Sequence, residues 1–468
     1  MTTSAHTSPD PHAHDGDRND MPSVGQRPGR RVFIETYGCQ MNLADSELMG
    51  GVLANSGYTA APNHAEADVI LINTCAVRAN AEQRVFGRLS HLLQYKHERP
   101  EVLLGVTGCM AERLREDITE RAPYVDLVVG PDAYRRLPQL LEEAQEVDSD
   151  PVVDVKLDRK ETYRGLEPKR QPGISGWVSV QRGCDKFCTF CIVPFVRGRE
   201  RGVAPDEVLR QCHDLAERGY KEVTLLGQTV NSYRHEDRDF ADLLEMIVAV
   251  DGIERIRFTS PYPTDFTPKL IETMATHDEI CNYLHLPLQS GSEAVLERMR
   301  RRYTAAEFLQ LVDDIRRAIP DIAMSTDVIV GFPGETEEDY HKTVQFLEEI
   351  RFDFAYLFKY SERDGTYAAR KLEDDVDEDT KGRRLSDLIK LQESISSEVF
   401  ASHVGRTHRV MVEGESKRDA TDLCGRTDDF KTTVFPDPED QDLSPGDFVD
   451  VRIDDATSHT LLGTFVGR

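Results

Sequence analysis

The segment from residue 31 to about residue 120 alternates short apolar runs with longer amphipathic stretches. The apolar runs are RVFIETYG, ADVILINT and EVLLGVTG, and a segment with helical periodicity follows each of them. Strands that alternate with helices predict a parallel sheet with helices on its faces. One cysteine follows each run, at Cys39, Cys75 and Cys109.

These three cysteines are far apart in sequence but occupy equivalent points of successive strand–helix units. In open parallel sheets, ligands bind beyond the carboxyl ends of the strands. A single cysteine at such a point is typical of a buried structural thiol. Three at equivalent points favour one shared site.

A second alternating region runs from residue 174 to about residue 360, after a charged segment at 148–173 that we interpret as a linker with one strand. Its candidate strands are WVSVQRG, EVTLLGQ, RIRFTSP, NYLHLPLQS, MSTDVIVGF and FAYLFKYS. Six βα units of this kind predict a partial or full parallel barrel. Its chemistry is expected at the carboxyl ends of the strands.

The last part of the chain changes its period. The acidic run EDDVDEDT and a long helical pattern lead to four segments with strand character: HRVMVEG, LCGRTDDFKTTVF, DFVDVRIDD and TLLGTFVG. They predict a small all-β barrel at 401–468, related to oligonucleotide-binding folds. The predicted boundaries are therefore 1–29 for a disordered polar tail, 30–147 for the first domain, 148–173 for the linker, 174–400 for the barrel with its trailing helix, and 401–468 for the β-barrel.

Composition limits the possible functions. The chain has 468 residues and a formal net charge of −27, which argues against a general nucleic-acid binder, because phosphate contacts need Lys and Arg. Two local basic clusters remain, at 197–201 and 298–302. No apolar run is long enough for a membrane span and no signal peptide is recognisable, so we expect no membrane contact and a cytoplasmic location. In a reducing compartment, the nine cysteines are expected to be ligands or catalytic groups more often than disulfides.

The stretch QRGCDKFCTFCIVP carries Cys184, Cys188 and Cys191 in a C-x3-C-x2-C spacing. Structural zinc sites and ordinary ferredoxin-type clusters use four protein ligands, and this stretch offers three. In a four-iron cluster, three thiolates leave one iron free to bind a small molecule. Zinc is disfavoured, because catalytic zinc with three ligands usually recruits His or a carboxylate. Phe190 lies between the last two cysteines, where it could cover a cluster or a bound adenine.

The spacing and its position resemble the radical S-adenosylmethionine superfamily, whose signature follows the first strand of a partial (β/α)6 barrel. From about residue 31 to 466 the chain resembles the methylthiotransferase family. The matching stretches include TYGCQMNLADSE, INTCAVRANAE, GCMAER, LLGQTVNSY, LHLPLQSGS and DVIVGFPGETEED. YGCQMN, NTCAVR and GQTVNSY are similar to the branch that modifies tRNA. The implied fold is a flavodoxin-like α/β domain, a partial (β/α)6 barrel and a TRAM-like RNA-binding β-barrel.

The resemblance also implies a chemistry. Cys184, Cys188 and Cys191 would hold a catalytic [4Fe-4S] cluster that binds S-adenosylmethionine, and Cys39, Cys75 and Cys109 would hold a second [4Fe-4S] cluster that carries sulfur. Two S-adenosylmethionine molecules would be used per turnover, and a methylthio group would be added to C2 of N6-isopentenyladenosine beside the anticodon. At the strand ends, Gln228, Ser290 and Glu335 are further candidates for contact with S-adenosylmethionine; the alternative is that they cap turns.

The expected partners are the tRNA anticodon stem-loop, an external one-electron reductant and a sulfur donor, and the chain is expected to be a monomer. Two alternatives stay open. One is a methylthiotransferase that acts on an aspartate of a ribosomal protein. The other is a non-catalytic iron–sulfur protein that binds RNA. We interpret Cys212, Cys281 and Cys424 as structural, because none has a partner at ligand spacing.

Overall fold

The computed structural model describes residues 29–76, 79–146, 150–438 and 441–468. The predicted polar tail lies outside these residues except for residue 29. The described chain forms three packed units in chain order. They are a parallel α/β domain, an open barrel of parallel strands and a closed antiparallel-rich β-barrel. Short 3-10 turns occur at His64–Glu66, Tyr134–Arg136, Val230–Ser232 and Pro263–Asp265.

The first domain is built on a six-stranded parallel sheet with the strand order β2-β1-β3-β4-β5-β6. Its central strands β3 and β4 are buried along their whole length, as expected when helices cover both faces. The order confirms the flavodoxin-like expectation. The strand predicted within 148–173 is the edge strand β6. The elements are β1 (Arg31–Thr36), α1 (Gln40–Asn55), β2 (Thr59–Ala60), β3 (Val69–Thr74), α2 (Ala79–Glu98), β4 (Leu103–Gly108), α3 (Cys109–Leu114), α4 (Asp117–Arg121), β5 (Leu127–Val129), α5 (Leu137–Glu143) and β6 (Val152–Asp154).

The second unit carries all six predicted strands. β7, β10 and β13 form one parallel sheet, β14, β15 and β16 form another, and a parallel bridge between Ile256 and Ile280 joins them into an open barrel. The elements are β7 (Ser175–Ser179), β8 (Gln181–Arg182), α6 (Val193–Val196), β9 (Arg201–Gly202), α7 (Pro205–Glu217), β10 (Glu222–Leu226), β11 (Arg234–His235), β12 (Arg238–Asp239), α8 (Phe240–Val248), β13 (Arg255–Phe258), α9 (Pro268–Thr276), β14 (Tyr283–His285), α10 (Glu293–Arg298), α11 (Ala305–Ala318), β15 (Ala323–Val330), α12 (Glu337–Ile350), β16 (Phe354–Lys359), α13 (Tyr367–Lys371) and α14 (Glu378–Ala401).

The third unit is a closed five-stranded barrel with the order β17-β18-β19-β21-β20. The segment LCGRTDDFKTTVF, predicted as one strand-like stretch, is a hairpin of two strands. The chain turns at Asp428–Phe430, where Phe430 has a φ of 67°. The strands are β17 (Thr407–Glu415), β18 (Asp422–Thr427), β19 (Thr432–Pro436), β20 (Phe448–Ala456) and β21 (Thr460–Gly467).

This terminal barrel docks at the amino ends of the parallel strands, opposite the end where chemistry is expected. Arg255, the first residue of β13, donates to the carbonyl oxygens of Arg426 and Arg409 at 2.7 and 3.1 Å. Lys431 of the terminal barrel is buried and lies 2.6 Å from Asp353, the residue before β16. These contacts fix the terminal barrel on the parallel one.

Candidate active site

The loop that carries Cys184, Cys188 and Cys191 is closed at its base. β8 and β9 pair antiparallel, with Gln181 opposite Gly202 and Arg182 opposite Arg201. Gly183 begins the loop at a φ of 77°, and a Cβ there would lie 2.0 Å from the carbonyl oxygen of Arg199. The loop, residues 183–200, therefore folds back on its own start, and only glycine fits at residue 183.

The three thiols of this loop lie close together. Burial raises the pKa of Cys184 to about 11 and that of Cys191 to about 12, and the neighbouring thiol of Cys188 adds to both pKa shifts. The guanidinium of Arg301 donates to the Cys188 Sγ at 3.5 Å. Thiols with such a raised pKa are neutral unless a metal deprotonates them, since thiolate is the ligand form. Three neighbouring, mostly shielded sulfurs fit a cluster with one open iron.

The residues predicted to contact S-adenosylmethionine lie around this loop, and each has contacts within the protein. Phe190 packs against a small apolar cluster and meets Phe332 edge to face at 6.3 Å. Gln228, just beyond β10, accepts a hydrogen bond from the Gly183 N–H at 2.5 Å.

The other two candidates follow the carboxyl ends of β14 and β15. The buried Ser290 hydroxyl accepts a hydrogen bond from the Ser292 N–H at 3.2 Å. The buried Glu335 carboxylate accepts from the Gly331 N–H at 2.9 Å and from Arg384 at 2.7 Å. The polar side chains of Gln228, Ser290 and Glu335 thus support the turns at three strand ends of the barrel.

Cys39, Cys75 and Cys109 come together at the carboxyl edge of the first sheet. β1, β3 and β4 are neighbours, and the register pairs Thr74 with Gly108, so Cys75 and Cys109 follow paired positions. Adjacent strands are about 4.8 Å apart. Cys39 precedes α1, and a Cβ on the preceding Gly38 would lie 2.9 Å from the Cys75 Cβ. These three residues are called the second cysteine site below.

Buried amides hold the turns of the second cysteine site. Asn42 donates to the carbonyl oxygen of Thr74 at 3.2 Å and accepts at 3.4 Å from the Cys39 thiol. Asn73 donates to the carbonyl oxygen of Asn42 at 2.7 Å. Burial raises the pKa of the Cys109 thiol, although Arg197 opposes this pKa shift. Three convergent thiols again fit an iron–sulfur cluster better than a closed four-ligand metal site.

The two cysteine sites share a wall. Ile192 directly follows Cys191, and it packs with Val196, Ala76 and Cys109 in one buried cluster. The loop 183–200 thus packs directly against the second cysteine site, at a position next to Cys191 in the chain.

Arg197 crosses this wall. Its Nε donates to the Cys109 Sγ at 3.1 Å, and its Nη2 pairs with Asp45 of α1 at 2.7 Å. Arg201 pairs with Asp132 of the first domain at 2.9 Å. Of the basic cluster at 197–201, Arg197 and Arg201 are therefore buried between domains, and Arg199 is exposed and pairs with Asp185. This cluster is not the basic surface that its sequence indicates.

Sequence reasoning missed the roles of Asp45, Arg197 and Arg301. Asp45 looks like an ordinary helix residue, and Arg197 looks like a surface charge. Asp45 and Arg197 pair across 152 residues, which no local pattern shows. The only signal was that Arg197 lies shortly after the cysteine motif.

Family models match three parts of the chain. Residues 31–130 match a model described as Uncharacterized protein family UPF0004, residues 178–347 match the Radical SAM superfamily, and residues 401–466 match the TRAM domain. The three matches coincide with the three units of the fold.

Curated relatives match nearly the whole chain. A tRNA-2-methylthio-N(6)-dimethylallyladenosine synthase of Parabacteroides distasonis is 45% identical over 450 residues, which cover 95% of this chain and 97% of the relative. The synthase of Chloroherpeton thalassium is 46% identical over 435 residues, covering 92% and 95%. The chain belongs to this family. It is therefore an enzyme, a radical S-adenosylmethionine transferase, and membership of the superfamily implies a [4Fe-4S] cluster and S-adenosylmethionine.

Solved structures support the fold of this family member. A radical S-adenosylmethionine methyltransferase from Kitasatospora setae aligns with a TM-score of 0.53 and 14% identity, covering 70% of this chain and 72% of that one. The cobalamin-dependent S-adenosylmethionine radical enzyme OxsB aligns with the same TM-score and identity over 78% of this chain and 56% of its own. Among the described residues, no helix combines the length and apolar content needed to cross a bilayer.

Proposed function

We propose that this enzyme adds a methylthio group to C2 of N6-isopentenyladenosine next to the tRNA anticodon. It would use two S-adenosylmethionine molecules per turnover and sulfur carried by a second iron–sulfur cluster. The observation that carries the proposal is the shared wall. Ile192 follows Cys191 in the loop of residues 183–200, called the radical loop below, and packs in the same cluster as Cys109. A sulfur-carrying site and a radical site must be neighbours, as these two are, if both are to act on one base.

The radical loop would hold the first cluster through Cys184, Cys188 and Cys191. When bound, that cluster supplies the electron that cleaves S-adenosylmethionine and starts radical chemistry. The protein's own part is to fix the loop and exclude water. The β8–β9 pairing and the Gly183–Gln228 hydrogen bond fix the loop, and the buried side chains of Ile192 and Val196 pack it against the first domain.

Cys39, Cys75 and Cys109 would hold the second cluster, which supplies the sulfur when bound. The strand ends bring these thiols together, and Asn42 and Asn73 fix the two turns between them. Arg197 places a cation at the Cys109 sulfur. An anionic cluster in this position would be stabilised by that charge.

For S-adenosylmethionine we propose contacts with Phe190, Gln228, Ser290 and Glu335, or with the turns that they support. Phe190 would present its ring to the adenine. The other three hold strand-end turns whose backbone groups can bind the amino and carboxylate groups of the methionine part. Supporting this placement, all four residues lie at the same end of the barrel as the cysteine loop.

The RNA would meet both ends of the parallel barrel. The target base would have to leave its stack and enter at the carboxyl ends of the strands. The TRAM domain is fixed at the amino ends, and the longest barrel strand, β15, has eight residues, or at most about 26 Å at 3.3 Å per residue. The TRAM domain would therefore hold RNA backbone away from the target nucleotide.

The test is anaerobic. The chain is reconstituted with iron and sulfide and given dithionite, S-adenosylmethionine and tRNA that carries isopentenyladenosine. Digested tRNA is examined by mass spectrometry for a nucleoside heavier by one SCH2 unit, and 5′-deoxyadenosine is measured in the same tube. Both products together support the proposal. Deoxyadenosine alone would redirect the search to a ribosomal-protein aspartate, and neither product from fully loaded protein would favour a non-catalytic RNA-binding role.

Cysteine variants separate the two sites. Cys188→Ala should abolish formation of 5′-deoxyadenosine. Cys75→Ala should keep it and stop formation of the methylthio nucleoside. Cys424→Ala, in β18 of the TRAM domain, is the matched control and should keep both products. Full methylthio product from Cys75→Ala would contradict the two-cluster proposal.

A further inference from the structure

The wall between the two cysteine sites carries an excess of buried positive charge. Arg182 and Arg197 both pair with Asp45, at 3.2 and 2.7 Å. Arg201 pairs with Asp132 at 2.9 Å. All five side chains are at most 7% exposed. Three guanidinium groups thus face two carboxylates, and an unbalanced buried charge is costly.

A further carboxylate that interacts with Arg182 is already paired. Glu161 is bound in a bidentate pair by Arg135, with both N–O distances at 2.9 Å. By contrast, the Cys109 Sγ accepts a hydrogen bond from Arg197 at 3.1 Å. Within the described residues, the buried Nη1 of Arg197 has no hydrogen-bond partner. Buried nitrogens of Arg182 and Arg201 are likewise unpartnered there. The excess charge reaches the second cysteine site through Arg197, whose Nε contacts the Cys109 sulfur.

We infer that Arg197 is the positioning residue that balances the charge of the second cluster and raises its reduction potential through the Cys109 sulfur. This inference rests on the proposed second cluster. A four-iron core in its usual oxidised state, held by three thiolates, has a net charge of roughly −1, which matches the single excess guanidinium. Hydrogen bonds to cluster sulfurs and nearby positive charge stabilise the reduced, more negative state. Arg197 thus links the radical loop to the site of the proposed sulfur-carrying cluster.

The experiment isolates the second cluster in the full-length chain. Cys184, Cys188 and Cys191 are replaced together by Ala, and the protein is reconstituted anaerobically. The reduction potential of the remaining cluster is then followed by electron paramagnetic resonance as the solution potential is lowered. In this background, Arg197→Gln, Arg197→Lys and the control Arg199→Gln are compared. Arg199 lies on the same loop but is exposed and pairs with Asp185.

Arg197→Gln should lower the reduced-to-oxidised ratio at a fixed solution potential by at least tenfold, which is about 59 mV for one electron. Arg197→Lys should restore part of this shift, and Arg199→Gln should leave the potential unchanged. An unchanged potential in a filled Arg197→Gln variant would overturn the inference. A background protein that holds no iron at all would instead overturn the two-cluster proposal.

Arg197→Gln could also fail to hold a cluster. In that case, a filled Arg197→Lys variant would support the need for a cation. An empty Arg197→Lys variant, with Arg199→Gln filled and thermal unfolding of all variants equally cooperative, would overturn the inference. Arg197 would then be a residue of domain packing.

Discussion

At the scale of single residues, Gly183 determines whether the radical loop can close. Its positive φ costs a residue with a Cβ about 1–2 kcal/mol. In addition, the added atom would lie 2.0 Å from the Arg199 carbonyl oxygen, which is backbone and cannot rotate away. The loop must therefore open if any side chain is placed there.

Gly183→Ala should lose the iron of the radical site. Gly219→Ala is the matched control, because Gly219 also has a positive φ, of 86°, but no atom lies within 4 Å of its added Cβ. The control should lose about 1–2 kcal/mol of stability from strain and keep its iron. The iron content per chain of both variants is measured after anaerobic reconstitution and gel filtration. Equal iron contents would show that the loop tolerates opening.

Glu112 is a second residue whose environment has a measurable consequence. Its side chain is fully buried in the first domain, and burial raises its pKa to about 8. The folded chain therefore keeps a proton that the unfolded chain releases above its ordinary pKa of 4.5. Because the unfolded state then binds fewer protons, stability falls as pH rises between these two values.

Glu112→Gln removes this dependence and should stabilise the first domain more at pH 8 than at pH 5.5. The difference in the free energy of unfolding between the variant and the parent should grow by up to about 1.4 kcal/mol per pH unit. Urea unfolding of the variant and the parent at both pH values measures it. The exposed Glu120→Gln should show no such trend. A Glu112→Gln effect that is equal at both pH values would mean that Glu112 is ionised in the fold.

At the scale of elements, the radical loop depends on two neighbouring strand ends. Gln181 of β8 accepts from the Gln228 N–H at 2.9 Å, and its amide donates to the Gly183 carbonyl oxygen at 2.9 Å. The Gln228 side chain in turn accepts a hydrogen bond from the Gly183 N–H. The two glutamines thus join β8, the loop and the end of β10.

Gln228→Ala leaves the Gly183 N–H without its acceptor, at a cost of about 1–3 kcal/mol. We expect weaker binding of S-adenosylmethionine by calorimetry and lower iron retention. Gln228→Glu keeps an acceptor oxygen and should retain the iron. Gln310→Ala, on the exposed side of α11, serves as a control. Unchanged affinity and iron in Gln228→Ala would remove Gln228 from the proposed site.

At the scale of the whole molecule, the TRAM domain is fixed in place by buried charges. Lys431 lies 2.6 Å from Asp353 of the parallel barrel and 2.8 Å from Asp429. Burial opposes ionisation of Asp429, but the Lys431 ammonium holds its pKa below the ordinary value of 3.8. This contribution to stability is complete above pH 3.8 and is lost as pH falls through the lower, folded pKa.

Lys431→Met leaves two buried carboxylates without a cation and should destabilise the docked TRAM domain by about 3–5 kcal/mol near neutral pH. The deficit should shrink toward pH 4, where the carboxylates can take up protons. Limited proteolysis between Ala401 and Thr407 reports undocking. The exposed Lys417→Met is the control and should resist the protease as the parent does. Equal resistance in Lys431→Met would mean that other contacts suffice.

Periodicity predicted the order of elements because it records burial, and burial is local to each strand or helix. It therefore gave the six barrel strands and the strand-end positions of Cys39, Cys75 and Cys109. It missed the turn at Phe430, because a hairpin whose turn contains no glycine looks continuous. It also misread Arg197 and Arg201, because a basic residue on a surface and one buried against a distant carboxylate are identical in sequence. The pairing with Asp45 exists only after two domains pack.

The second cysteine site takes its thiols from the first domain and its guanidinium from the later radical loop. This division has a consequence for synthesis. The ribosome completes Cys39, Cys75 and Cys109 well before Arg197, so the nascent first domain carries these three thiols without the neighbouring guanidinium. Docking of the later loop supplies the guanidinium and the apolar cover of Ile192 and Val196 together. A newly made chain thus completes this cysteine site only when the second domain has folded against the first.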